Sequence, residues 1–554
     1  MRKRRKNRIA SVFCAGFICF CFCIVTSAMF VFYTWPEADI REILFHIRAP
    51  LQGADPSFYI RYVLLCILPS VTFTGLWQWV RRRFCKWIEH AYHSETEYAN
   101  NICKMYKLWL YGTVFVLFLL ALGMIIYSWN RLQAGEYLKN QTTYSGFIDE
   151  HYVEPSSVTI TFPEKKRNLI YIYLESVENT FADVESGGAF SENLIPNLTR
   201  LSLEHENFGD RNALNGAVVL KNTTWTMGAM FAQSTALPLL LPIDGNAMFS
   251  QDTFFPELIG IGDLLKDAGY RNMLLLGSHA MFAGREIFYQ DHGEYRMLDY
   301  DYSIVYEEIP KDYYVWWGYE DAKLFTFAKK HLQKAAKSEE PFNLTMLTVD
   351  THYEDGYLCE DCEPLHEENP YADVYQCSDR KVGAFIEWVQ KQDFYENTTI
   401  VLVGDHLTMD KDFCENIASE YERKVYVSVI NSVFEDASKG DAVDANEAFG
   451  YMENKADEDG ILSETEHGEN GFRYYSTMDM FPTTLAALGV KIEGDRLGLG
   501  TNLYSDKPTL LELYGVEDLN VKMEQKSALM ERLATTIDTS RLDEQWRSLS
   551  DTKE

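Results

Sequence analysis

Residues 399–406 read TIVLVGDH: four aliphatic residues headed by the β-branched Thr399, then a glycine, an acid and a histidine. A short apolar run with no polar residue at alternate positions suits a strand buried on both faces, as in a parallel sheet. Four other runs have the same character: NLIYIYL at 168–174, NMLLL at 272–276, NLTMLTV at 343–349 and KVYVSVI at 424–430. Helix-like segments such as 319–335 and 379–392 lie between them. Strands alternating with helices predict an α/β domain with a mostly parallel central sheet flanked by helices.

Polar residues follow several of these runs. Glu175 follows the first, Ser278 and His279 the second, Asp350 and His352 the third, and Asp405 and His406 the fourth. In open α/β sheets ligands bind beyond the carboxyl ends of the strands, so these residues converge on one candidate site. Glu175, Asp405 and His406 combine carboxylate oxygens with one imidazole, a set that suits Mn²⁺, Mg²⁺ or Zn²⁺. Phosphoryl chemistry at such a centre also needs a nucleophile. The segment 221–238, KNTTWTMGAMFAQSTALP, offers Thr223, Thr224 and Thr226. On composition alone it reads as a threonine-rich cap opening a buried helix. A threonine at a helix start beside a divalent cation would instead gain alkoxide character.

Outward from this domain the chain changes nature. Apolar stretches near 9–33, 59–80 and 108–129 are each about 20 residues or more, enough to cross roughly 30 Å of hydrocarbon. They predict a membrane anchor over 1–130 with three transmembrane helices. A polar connector (131–167), the catalytic domain (168–510) and a helical tail (511–554) follow. Within the domain, 435–470 reads as an acidic surface insertion, and the spacing around Asp457–Gly460 does not make a calcium loop. Arg2, Lys3, Arg4, Arg5, Lys6 and Arg8 precede the first span, and Arg81, Arg82, Arg83, Lys86, Lys104 and Lys107 lie between the second and third. The loop between the first and second carries only Arg41 and Arg48. Positive flanks stay inside, which predicts a multi-pass protein of the cell membrane with a cytoplasmic N-terminus and an extracytoplasmic catalytic domain.

Residues 1–133 hold 16 Lys or Arg against 7 Asp or Glu, a net of +9; the remaining 35 against 75 give −40. A field of that sign repels nucleic acid. Seven of the 11 cysteines precede residue 104. The other four are Cys359, Cys362, Cys377 and Cys414. Cys359-x-x-Cys362 lacks the second pair of a zinc site, and an oxidising compartment predicts at least one disulfide among the four.

The blocks LIYIYLES, TTWTMGAMFAQSTALPL, LTVDTHYEDGY and VLVGDH, in this order after a membrane region, resemble the sulfatase-like phosphoglycerol transferases of the alkaline phosphatase superfamily. That group includes the lipoteichoic acid synthases and the enzymes that decorate periplasmic glucans. The WTMGAM block is closer to the glucan-modifying branch, and three spans contrast with the five typical of the synthases. The resemblance covers roughly residues 165–505. It implies that Glu175, Asp405 and His406 bind one divalent cation, Mn²⁺ first and Mg²⁺ or Zn²⁺ as alternatives. It implies that Thr226 is both a ligand and the nucleophile, and that His352 acts in catalysis and on the headgroup. GSHAMFAGR makes His279 and Arg285 the further substrate-binding candidates. The sulfatase signature, Cys or Ser followed by x-Pro-Ser-Arg, is absent.

The implied activity is a phosphotransferase of cell envelope biogenesis. It moves phosphoglycerol from phosphatidylglycerol, a lipid of the cytoplasmic membrane, to a glycan or teichoic-type acceptor through a phosphothreonine intermediate. Phosphoethanolamine transfer and phosphodiester hydrolysis are the alternatives on the same scaffold, and a catalytically inactive binding or sensor protein is the alternative of another class.

Overall fold

The computed structural model describes residues 2–35, 40–48, 56–91, 96–209, 212–240, 253–366, 369–438 and 472–534. It divides into two compact units, one of residues 1–43 and 54–139, the other of 44–53 and 140–554.

In the first unit three helices are long and apolar enough to cross a membrane: Ser11–Thr34, Phe58–Ala91 and Glu97–Arg131. The second and third contain the expected spans 59–80 and 108–129, and the first overlaps 9–33 from residue 11 onward. The second runs past its apolar window and the third begins well before its own, because helical hydrogen bonding continues through the basic segments that adjoin the hydrocarbon-length core. Their outward faces are apolar, with Leu64, Leu108 and Phe115 exposed, as a lipid-facing surface requires.

The second unit is the expected α/β domain. Its strands are β1 (Asn168–Leu174), β2 (Gly216–Ala217), β3 (Arg271–Leu276), β4 (Arg296–Leu298), β5 (Phe342–Leu347), β6 (Thr398–Gly404) and β7 (Val425–Ile430). They form one sheet in the order β2-β7-β6-β1-β5-β3-β4. The pairings from β6 through β4 are parallel, whereas β7 runs antiparallel to β6 and β2 antiparallel to β7. The apolar runs are explained by burial on both faces. Leu169, Tyr171 and Tyr173 enter one core with Val401 and Val403. Ile170, Ile172 and Leu174 enter a second with Ile400 and Leu402. The edge strands β2 and β4 have two and three residues and carry no periodicity from which to predict them.

Four helices matter to the site: α1 (Thr226–Thr235), α2 (Asp321–Ala335), α3 (Pro370–Gln390) and α4 (Met480–Ala487). The segment 379–392 proves to be the second half of α3. That helix starts earlier because Pro370 occupies the first turn, where its missing N–H costs nothing. The α1 helix is almost wholly buried and packs beside α4.

The stretch read as a connector is not a bare linker. Ile160 and Thr161 pair with Ile492 and Lys491, and Asp149 accepts from Ser527 Oγ and the Leu529 amide. At the other end Leu519, Met523 and Leu533 are buried in the first core, so the expected tail packs into the domain as far as it is described. Apart from the helix Val433–Ser438, the acidic insertion and residues 457–460 lie outside the described residues.

Cys362 and Cys377 form a disulfide across 15 residues, leaving the Cys359 thiol 3.6 Å from Cys362 Sγ. The bridge ties the loop that follows His352 to α3 and rules out a zinc half-site at Cys359-x-x-Cys362. A closed loop of this size contributes about 3 kcal/mol in the chain-entropy account. Reduction, or Cys362→Ser with Cys377→Ser, should lower unfolding stability by about that amount, as read from denaturant midpoints with and without reductant.

Candidate active site

The parallel register of β1 and β6 pairs Leu174 with Gly404. The next residue of each strand is therefore Glu175 and Asp405, side by side beyond the sheet. The Asp405 amide donates to the Leu174 carbonyl at 3.1 Å, which extends the pairing by one step. A side chain at Gly404 would stand 2.0 Å from the Val177 carbonyl oxygen, so glycine is required where the chain from β1 crosses the end of β6.

Glu175, Asp405 and His406 are all buried, and one ligand atom from each lies within 4.8 Å of the others. His406 Nε2 is 3.3 Å from Glu175 Oε1 and 3.5 Å from Asp405 Oδ2. Thr226 Oγ1 is 3.4 Å from both Glu175 Oε2 and His406 Nε2. Ligands about 2.1 Å from one cation stand about 3.0–3.4 Å apart in octahedral or tetrahedral arrangements. The set fits a single divalent ion on that spacing. A second observation agrees: Asp405 Oδ2 is buried without a hydrogen-bond donor, whereas Oδ1 accepts from the Ser176 and His406 amides. An oxygen left unsatisfied inside a protein is costly unless a cation faces it.

The charges point the same way. Burial alone would raise the Glu175 carboxyl, but His406 and then His352 outweigh it and hold it well below the usual carboxylate range. Asp405 moves upward, through burial first and the Glu175 charge second. Burial opposes charging of His406, yet Asp405 and Glu175 lift its imidazole above the usual histidine range. Two carboxylates here draw positive charge to themselves, and a divalent cation supplies it without a proton.

Of the three candidate threonines, geometry separates one. Thr223 Oγ1 donates to the Leu220 carbonyl at 2.7 Å and Thr224 is exposed. Thr226 is the first residue of α1, following Trp225 in extended conformation. Its hydroxyl therefore sits at the positive end of the helix and against the metal-ligand set.

His352 follows β5 and is partly buried; its Nδ1 lies 2.6 Å from the Tyr353 carbonyl. That bond places the ring proton on Nδ1 and leaves Nε2 free. Burial lowers its basicity, against the pull of Glu175. Two buried aspartates hold its strand end: Asp321 at the start of α2 accepts from the Val349 and Asp350 amides, and Asp350 accepts from Lys381 of α3 at 2.8 Å. Arg285 is buried and donates to Ser278 Oγ at 3.1 Å and the His279 carbonyl at 2.8 Å. Its charge is within electrostatic reach of Glu175. The His279 ring is turned to Asp301, 2.7 Å away, and to Tyr300, so its recorded partners lie away from the metal-ligand set.

The sequence reading missed several residues. Ser176 donates to Glu175 Oε1 at 3.0 Å through Oγ and to Asp405 through its amide. Glu178, fully buried, accepts from the Thr408 amide at 2.8 Å and from Arg423 Nε at 2.8 Å, and so anchors the loop that carries His406. The Trp317 ring lies against that of His352, 4.7 Å between centres and tilted. Proximity to Glu175 was the only available signal for Ser176.

A central, mostly parallel sheet thus brings a buried carboxylate–imidazole cluster at its strand ends against a helix-start hydroxyl. Residues 167–490 match the sulfatase family model, and the chain belongs to that family. The family-level resemblance read from the four blocks is borne out. The phosphoglycerol transferase I of Escherichia coli O139:H28 is 30% identical over 402 residues, which cover 70% of this chain and 47% of that protein. The chain thus spans about half the length of the curated relatives it matches. Among solved structures, the lipoteichoic acid synthase LtaP of Listeria monocytogenes is 17% identical with a TM-score of 0.42, covering 65% of this chain and 81% of that one. The lipooligosaccharide phosphoethanolamine transferase EptA of Neisseria meningitidis is 12% identical with a TM-score of 0.45, covering 86% and 84%.

Proposed function

We propose that this protein is a membrane-anchored transferase that moves a phosphoglycerol group from phosphatidylglycerol to a glycan or teichoic-type acceptor outside the cytoplasmic membrane. The observation that carries the reading is the placement of Thr226 Oγ1, 3.4 Å from both Glu175 and His406. The curated relatives named phosphoglycerol transferase I support the headgroup. The basic flanks of the apolar helices support an extracytoplasmic domain and a cytoplasmic N-terminus.

Glu175, Asp405, His406 and Thr226 would hold one divalent cation, with Mn²⁺ favoured because three of the four donors are oxygens. When bound, the cation lowers the pKa of the threonine hydroxyl and offsets charge on the phosphoryl oxygens. Thr226 Oγ attacks phosphorus, its bond to phosphorus forms, and the bond from phosphorus to the diacylglycerol oxygen breaks. In the second step the acceptor hydroxyl attacks the same phosphorus and the threonine oxygen leaves, taking up a proton. In each step His352 Nε2 accepts the proton of the attacking hydroxyl and returns it to the departing oxygen, and the positive end of α1 faces the phosphate throughout. Arg285, whose charge is felt by Glu175, would serve the headgroup, whereas His279 is engaged by Asp301.

The reading is tested by intact mass of the full chain after incubation with phosphatidylglycerol and Mn²⁺. A gain of about 154 Da, one glycerophosphoryl unit on threonine, is expected. Diacylglycerol release without an adduct would turn the reading to hydrolysis, and neither product would remove phosphatidylglycerol as donor. Chelation should abolish adduct formation and Mn²⁺ restore it. Glu175→Gln should bind Mn²⁺ at least tenfold more weakly by calorimetry.

A further inference from the structure

Between the site histidine and the Arg285 segment stands an aromatic residue that has no place in the mechanism above. The Trp317 ring lies 4.7 Å from the His352 ring, tilted at 54°, and 5.5 Å from the ring of Phe282. The guanidinium of Arg285 lies over that same phenyl ring, 5.5 Å from its centre. Trp317 thus joins the two substrate-facing parts of the site, one following β5 and the other β3.

The backbone fixes it there. Gly318 forms an antiparallel bridge with Ser278. The Tyr319 amide donates to the Gly277 carbonyl and the Val315 amide to the Gly318 carbonyl, both at 2.9 Å. A side chain on Gly318, whose φ is +155°, would stand 2.0 Å from the Gly277 oxygen, and one on Gly277 would stand 2.3 Å from the Tyr319 oxygen. Two chain segments are therefore in contact at a point that admits only glycine, and the residue next to that point is Trp317. Its neighbours Gly318, Tyr319 and Glu320 are buried, whereas the indole keeps part of its surface exposed. A rigidly held, partly exposed indole beside an imidazole offers an apolar face next to a polar ring.

We propose that Trp317 is the specificity platform of this site, receiving the C–H face of the polyol attached to the reacting phosphate. That polyol is either the glycerol of the donor headgroup or a sugar of the acceptor. The identity of the ligand class rests on the phosphoryl-transfer reading above; the placement of the indole does not.

The test is equilibrium binding to the full chain in detergent with Mn²⁺, for wild type, Trp317→Ala and Trp317→Phe. The probes are glycerol 1-phosphate, a β-glucan oligosaccharide and inorganic phosphate. Trp317→Ala should weaken a polyol probe at least tenfold while inorganic phosphate binds within about twofold of wild type, and Trp317→Phe should recover most of the loss. Loss confined to glycerol 1-phosphate assigns the platform to the donor, and loss confined to the oligosaccharide assigns it to the acceptor. If inorganic phosphate weakens as much as the polyols, Trp317 is a brace for His352 and the proposal falls. It also falls if no probe is affected. A chain that binds polyols through Trp317 yet forms no threonine adduct would leave this inference standing and remove the transferase reading.

Discussion

Thr226→Ala is expected to lose glycerophosphoryl adduct formation and transfer by roughly 10⁴-fold or more, the scale seen when a covalent nucleophile is removed. The same variant should fold and bind Mn²⁺. Thr226 opens α1, and the residues that seat this helix, Met227, Met230 and Phe231, point into the core and are untouched. Alanine is the better helix former, so stability should stay within about 1 kcal/mol of wild type. Glu175, Asp405 and His406 remain as ligands, which keeps metal content near stoichiometric by elemental analysis. Thr226→Ser retains an oxygen at the same place and should give a measurable rate. Thr224→Ala, at an exposed position, is the matched control and should turn over normally. Normal turnover by Thr226→Ala would remove the threonine from the chemistry altogether.

The second large effect is expected at a residue that touches neither metal nor substrate. Glu178 is fully buried and accepts four hydrogen bonds: from the Thr408 amide, from Thr180 Oγ1, and from Nε and Nη2 of Arg423. Thr408 lies two residues beyond His406, whose Nδ1 is itself held by the Leu407 carbonyl at 2.9 Å. Glu178→Ala leaves a largely buried guanidinium and a buried amide without their acceptor, which should cost about 3–5 kcal/mol of stability. The loosened loop should also weaken Mn²⁺ binding about 10- to 100-fold, the usual scale for a residue that orients a ligand. Denaturant melts and metal titration on the same preparation separate the two effects. A destabilised variant with unaltered metal affinity would show that the His406 loop holds its shape without this anchor.

These two residues mark how far the sequence could be read. Central strands announced themselves because both faces of β1 and β6 are buried and carry mostly apolar residues. Their ends announced the site because a buried strand leads straight into an acid. The choice among Thr223, Thr224 and Thr226 needed the starting point of α1, and a threonine-rich segment offers several equivalent starts. The family resemblance supplied what local chemistry did not. Glu178 was illegible for a different reason: its partners Thr408 and Arg423 are 230 and 245 residues away, and no local pattern encodes such a pairing. Trp317 was hidden in the same way, since its meaning depends on a bridge between Ser278 and Gly318.

Glu175 and Asp405 follow neighbouring strands at the centre of the sheet, whereas Arg285 follows β3 and Trp317 follows the edge strand β4. If Trp317 selects the polyol as proposed, the chemistry and the choice of ligand are set largely by separate stretches, with His352 serving both. On that proposal, exchanges within 279–317, which include β4 but neither β1 nor β6, would alter what the site accepts and leave the register between Leu174 and Gly404 in place. For an engineer the same stretch, grafted between Ser278 and Gly318, is the natural unit for retargeting the scaffold.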